Sequence, residues 1–320
     1  GAAASMRTSR SSTWPSVAWG SVMPVAMRHV VVVGAASGAG APDPATAGGP
    51  AALRRYAVFH DTPLQHIEWD GILRVPRAAR ATPREAVATL AEALAREVEA
   101  VLQAGNFPLV VGGDHSCAIG TWSGVHRALA ARGALGLIWI DAHMDSHTFD
   151  TTPSGRIHGM PLAALLGHGD AALTSIEGAA PKLLPAHVCL IGVRSFEAGE
   201  AALLQRLGVR VFVMDEVRRR GLPAVFDEAL ALVKTGTAGY GISIDLDALD
   251  PEEAPGTGTP VPGGLKRAEL AAALAHAADD PAFVAMEIVE YNPRRDRGHA
   301  TAEAAGALVD AIAPHPPAKD

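Results

Sequence analysis

Three short segments concentrate the residue types that bind metals. His115 lies in Val111-Gly112-Gly113-Asp114-His115-Ser116, where two glycines let the chain turn and deliver an imidazole beyond an apolar run. Asp141, His143 and Asp145 recur every second residue in Asp141-Ala142-His143-Met144-Asp145, and Asp245 and Asp247 repeat the device in Ser243-Ile244-Asp245-Leu246-Asp247. A period of two puts such side chains on one face of an extended segment. Taken singly, a lone histidine is an ordinary structural residue, and an acid pair is equally a solvated strand end or a helix cap. Taken together, four carboxylates following apolar strands would repel strongly unless neutralised, and a pair of divalent cations is the economical solution. Oxygen donors with two imidazoles and no thiolate suit Mn2+ better than structural Zn2+, and six ligands with carboxylates able to bridge fit a two-metal hydrolytic centre.

The elements that must position these residues alternate. Apolar, β-branched runs at 29–34, 108–112, 135–141, 187–192, 209–214, 240–246 and 283–289 read as strands, and their continuous apolar character implies a parallel sheet covered on both faces. The clearest helix spans 83–104, opened by Thr82-Pro83-Arg84-Glu85 and closed by Gly105; others fall near 117–131, 197–207, 222–234, 266–278 and 301–313. The metal-type clusters follow three strands directly, where open α/β sheets place their sites. Residues 251–264, rich in Gly and Pro, form a loop, and long loops inside a compact domain tend to be functional.

The 320 residues carry 27 Lys+Arg against 34 Asp+Glu, a net charge of −7, which disfavours a basic nucleic-acid module. With 48% hydrophobic residues the chain can bury a large core, and general disorder is ruled out. No apolar stretch reaches the roughly 18 residues of a membrane span. Cys117 and Cys189 are too few for a disulfide scaffold and read as buried thiols of a reducing, cytoplasmic compartment. Residues 1–5 resemble a cloning scar, and 6–28, rich in Arg, Ser and Trp, read as a disordered or peripheral leader, either an over-long start or a weak targeting segment. A single domain is expected over 29–314, with a tail at 315–320.

Gly-Gly-Asp-His-Ser at 112–116, Asp-Ala-His-Met-Asp at 141–145 and Ser-Ile-Asp-Leu-Asp-Ala-Leu-Asp-Pro at 243–251, in this order, resemble the three signatures of the ureohydrolase superfamily of arginases, agmatinases and formimidoylglutamases. The resemblance runs from near residue 30 through Glu-Ile-Val-Glu-Tyr-Asn-Pro at 287–293. It implies an α/β fold, a three-layer α/β/α domain with a mainly parallel eight-stranded sheet, assembled as a trimer or hexamer. It further implies one manganese on His115, Asp141, Asp145 and Asp245, and a second on His143, Asp141, Asp245 and Asp247, with Asp141 and Asp245 bridging. His158 matches a proton shuttle to the leaving amine, Glu290 the carboxylate that holds the guanidinium, and Asp145 the group that orients the nucleophile. Glu287 is expected to support the site or the fold, and Thr259 to line the pocket.

The same resemblance leans toward arginases among its branches. Ser154 is kept where arginases contact the substrate carboxylate, whereas His147 and Arg156 replace asparagines; Arg156 could pair with a carboxylate. Glu197, with Glu200 nearby, matches the acidic contact to the α-ammonium. L-arginine is thus the expected substrate, with 4-guanidinobutanoate or agmatine as alternatives. A catalytically silent metal- or partner-binding homologue is the alternative of another class. A one-metal zinc deacetylase would need a tandem His-His pair, which the sequence does not contain.

Overall fold

The computed structural model describes residues 23–56, 67–76 and 82–313. Eight strands, β1 (Val30–Ala35), β2 (Ile67–Leu73), β3 (Phe107–Gly112), β4 (Ala134–Ile140), β5 (Val188–Val193), β6 (Arg210–Val213), β7 (Thr237–Asp245) and β8 (Phe283–Val289), form one sheet. Their order is β2-β1-β3-β8-β7-β4-β5-β6, and every pairing is parallel, so the sheet is wholly rather than mainly parallel. Among the described residues ten α-helices accompany them: α1 (Gly49–Arg54), α2 (Pro83–Gln103), α3 (Ala118–Leu129), α4 (Pro161–Leu165), α5 (Ala171–Thr174), α6 (Ala198–Leu207), α7 (Met214–Arg220), α8 (Leu222–Lys234), α9 (Arg267–Ala278) and α10 (Ala300–Ile312).

The pleat divides the strand residues between two cores. Val30 and Val32 belong to the core shared with α1, α8, α9 and α10 on one face, while Val31 and Val33 belong to the core shared with α2 and α3 on the other. Ile138 and Ile140 likewise face away from Leu137 and Trp139. Burying both faces is what makes these strands read as unbroken apolar runs. The first helix of the α2–α3 layer starts as its sequence predicts: Thr82 Oγ1 accepts from Glu85 N at 3.2 Å, Pro83 follows, and Gly105 leaves the helix with φ 80°.

Several elements escape the sequence reading: the short helices α1, α4 and α5, strand β2 and helix α7. Strand β2 was not expected; it lies at the sheet edge, pairs with β1 alone among the described residues, and is only half-buried over most of its length. Helix α7 begins at Met214, where strand was expected to continue. Residues 23–28, read as the end of a leader, are anchored at two points: Val25 is fully buried, and Arg28 Nη2 donates to the Phe283 carbonyl at 2.7 Å. The rest of that leader and the tail lie outside the described residues.

Candidate active site

The carboxyl ends of β3, β8, β7 and β4, four adjacent central strands, deliver the site. Gly113 permits the turn after β3, since a Cβ there would stand 1.8 Å from the Ser37 carbonyl oxygen. Asp114 is no ligand: its Oδ2 accepts from Gly40 N at 2.9 Å and its Oδ1 from Ser116 N at 3.0 Å, which fixes the loop that presents His115. His115 is fully buried, with Nδ1 3.2 Å from Asp141 Oδ2, 2.9 Å from Asp145 Oδ2 and 3.4 Å from Asp245 Oδ2. Nδ1 makes no hydrogen bond, although it is buried. Nε2 lies 3.0 Å from Ser243 Oγ, which donates to Glu287 Oε2 at 2.8 Å. The hydroxyl therefore accepts from Nε2–H, and the Nδ1 lone pair is left facing three carboxylates, the tautomer a metal ligand needs.

A second group is built on the same aspartate. His143 Nδ1 lies 3.4 Å from Asp141 Oδ1 and 3.2 Å from Asp247 Oδ2. Asp141 thus presents one oxygen to each group. Trp139 Nε1 donates to Asp141 Oδ2 at 2.9 Å and stacks on the His115 ring, whereas Thr259 Oγ1 donates to Asp247 Oδ2 at 2.9 Å. The residues present fit divalent cations: oxygen-rich donors, two imidazoles, no thiolate, and an orphaned buried nitrogen aimed into the group.

The titration of these groups shows how much positive charge the cluster demands. Burial, then the charges of Asp247 and Asp141, push the Asp245 carboxyl well above its usual range; burial and Asp141 push Asp145 up to about 6. Burial alone would lower the histidines, yet the surrounding carboxylates raise His115 and His143 far above an ordinary imidazole. Asp141 goes the other way despite its burial, held down by His115 and His143 beside it.

Glu290 follows β8 with φ 67°, and Asp145 has φ 46°; both are left-handed conformations that side chains rarely adopt. Glu290 Oε1 accepts from His115 N at 2.9 Å and lies 3.2 Å from His158 Nδ1. Its Oε2 is buried with no partner. Burial opposes charge on His158, but Glu290 overrides it and raises the imidazole to about 9.

The residues expected at the far end of the substrate do not all meet. His147 is buried, with Nε2 2.9 Å from Glu197 Oε2 and 3.8 Å from Glu200 Oε2, and Nδ1 3.1 Å from Thr151 Oγ1. Glu200 closes a capping box at the start of α6, its Oε1 accepting from Glu197 N at 3.0 Å, and burial pushes its carboxyl up to about 8. Ser154 and Arg156 stand apart. The Ser154 hydroxyl closes its own turn by accepting from Arg156 N at 3.2 Å, and the exposed Arg156 side chain has no polar partner among the described residues. Sequence reasoning overlooked Trp139, Ser243 and Arg194. The first two lie two residues before Asp141 and Asp245, on the same faces of β4 and β7, a signal that a period of two could have exposed.

A profile of the arginase family matches residues 28–313. The arginase of Bacillus caldovelox is 48% identical over 215 residues, 67% of this chain and 71% of that protein. A crystal structure of Bacillus caldovelox arginase superposes with a TM-score of 0.83 at 42% identity, covering 89% of this chain and 98% of that one. The proclavaminate amidino hydrolase of Streptomyces clavuligerus superposes with a TM-score of 0.68 at 27% identity, covering 93% of each chain. With its two His/Asp groups at the sheet edge and the profile spanning nearly every described residue, the chain belongs to the arginase family.

Proposed function

We propose that the protein hydrolyses the guanidinium of L-arginine to L-ornithine and urea, with two Mn2+ per subunit. The observation that carries this reading is the half-satisfied Glu290: one oxygen is engaged by His115 N and His158, while the other is buried and free. A buried carboxylate oxygen without a partner is costly, and a planar cationic donor such as a guanidinium satisfies it.

The metal ligands would be His115, Asp141, Asp145 and Asp245 on one side, and His143, Asp141, Asp245 and Asp247 on the other. When bound, the cations make hydroxide available near neutral pH. Glu290 holds the guanidinium carbon, a poor electrophile with delocalised charge, against the attacking oxygen. Asp145 accepts the hydrogen bond of that oxygen and orients it. His158, kept protonated by Glu290, delivers its proton to the departing nitrogen, so that urea and an amine leave. Glu197, with His147 and Glu200 behind it, would meet an ammonium at the far end, whereas Ser154 and Arg156, on an exposed turn, would meet the carboxylate only at the pocket rim. The family resemblance also supports a cytoplasmic homo-oligomer, a trimer or hexamer; among the described residues no helix is long and apolar enough to cross a membrane.

Urea release measured with the Mn2+-loaded protein on L-arginine, agmatine and 4-guanidinobutanoate tests the reading. Arginine should show the highest kcat/KM; a preference for agmatine or 4-guanidinobutanoate, or no urea from any of them, overturns it. Because Arg156 is exposed, its contact with a carboxylate is worth about 1 kcal/mol or less. Arg156→Ala should therefore raise KM for arginine by no more than about fivefold.

A further inference from the structure

Residues 251–264 contain no regular element, yet two of them touch the reacting centre. Thr259 donates to Asp247 Oδ2 at 2.9 Å, and Gly258 lies so near Glu290 that a Cβ there would stand 3.1 Å from Oε2. A Gly- and Pro-rich segment does not hold such positions by its own propensity. Arg194, half-buried just beyond β5, supplies the restraint. It forms no ion pair among the described residues; its guanidinium instead donates to backbone carbonyls converging from three directions. These are Gly192 at 3.2 Å, then Asp247 at 2.7 Å, Ala248 at 3.2 Å and Leu249 at 3.3 Å beyond β7, and Val261 and Pro262 of the loop at 2.7 Å and 3.3 Å. From the other side, Arg295 Nη1 donates to the Gly258 carbonyl at 2.7 Å. Thr259 is thus suspended between two arginine-held carbonyls.

We propose that Arg194 is a positioning residue of the active site: by bridging the Asp247 backbone to Val261, it sets where Thr259 holds the Asp247 carboxylate and where Gly258 faces Glu290. Five donors in a rigid planar fork suit such a bridge, whereas the ammonium of lysine offers a single point. The guanidinium also adds positive charge close to Asp247, so clamp and charge must be separated. The kinetic part of the inference rests on the arginine-hydrolysis reading; the metal-binding part does not.

Calorimetric titration of the metal-stripped full chain with Mn2+ decides it, with His143→Ala marking which ion belongs to the Asp247 side. Arg194→Met should weaken that ion about 10- to 100-fold, the range for outer partners of metal ligands, and leave the other nearly unchanged. Arg194→Lys, which keeps the charge, should not restore it. Thr259→Val should weaken the same ion, and adding it to Arg194→Met should cost little more, because both act through one contact. With arginine as substrate, KM should rise more than kcat falls. Wild-type affinity in Arg194→Met, full restoration by Arg194→Lys, or independent effects of Arg194 and Thr259 would each overturn the proposal. If Arg194→Met does not fold, Arg194→Lys alone decides: wild-type Mn2+ affinity in that variant refutes the clamp. Weakened Mn2+ binding without urea release from arginine would leave the clamp standing and the substrate reading refuted.

Discussion

Asp141 faces both His/Asp groups with separate oxygens, so in the proposed ligand set its removal reaches further than that of either histidine. Asp141→Ala should lose both metals, measured by metal analysis after gel filtration, whereas His143→Ala should mainly weaken one; two retained ions in Asp141→Ala would contradict the assignment. His158 stands differently, 3.2 Å from Glu290 and outside both groups. His158→Asn should keep both metals and lower kcat by about 10² to 10⁴, the usual contribution of a proton donor. An unchanged kcat would mean that solvent protonates the departing nitrogen. At this scale the sequence was informative about which side chains converge, because their spacing is local: two residues along a strand keep donors on one face. The far end of the substrate was less legible. Whether Arg156 points inward depends on the turn at 152–156, and no periodicity reports on that.

The strands that carry ligands were readable because both faces of each are covered. Strand β2, with Glu68 and Asp70 at a half-covered edge, lacks that signature. Strand order was not readable at all. β3 lies beside β8 and β4 beside β7, pairs far apart in the chain, and these adjacencies let His115 reach Asp141, Asp145 and Asp245. The loop at 251–264 was recognisable by composition, but not the contacts of its tip. Those contacts make Gly258 sensitive, since a methyl group would press on the unpartnered oxygen of Glu290. Gly258→Ala should raise KM for arginine by about tenfold or more, the effect of losing roughly 1.4 kcal/mol, with Mn2+ affinity unchanged. Equal kinetics in the two proteins would show that the guanidinium does not lie against this wall.

Across the whole molecule, the fold gathers buried carboxylates and imidazoles at one sheet edge, and that choice governs stability. Without metal, the folded chain holds protons more tightly than the unfolded chain. His158 titrates at about 9 instead of 6.5, Glu200 at about 8 instead of 4.5, and Asp145 at about 6 instead of 3.8. His115, His143 and Asp245 are raised as well, while Asp141, and Glu197 beside Glu200, are lowered. Stability follows the difference between protons bound unfolded and folded, so it must fall as pH rises from about 4 to about 9. The histidine contribution is fully present below about 6.5 and lost through about 9. Surface pairs do not obscure this window: Glu216, held down to about 2 by Arg210, acts below it. Bound cations take the place of the protons, and their affinity grows as the ligands deprotonate, which reverses the slope. Calorimetric scans at pH 5, 7 and 9 should therefore show the chelator-treated protein losing several degrees of Tm across the range, while the Mn2+-loaded protein gains stability from pH 5 to 7. A chelated Tm that rises with pH would mean that His158, Glu200 and the raised groups around Asp145 are not the dominant titrating groups of the fold.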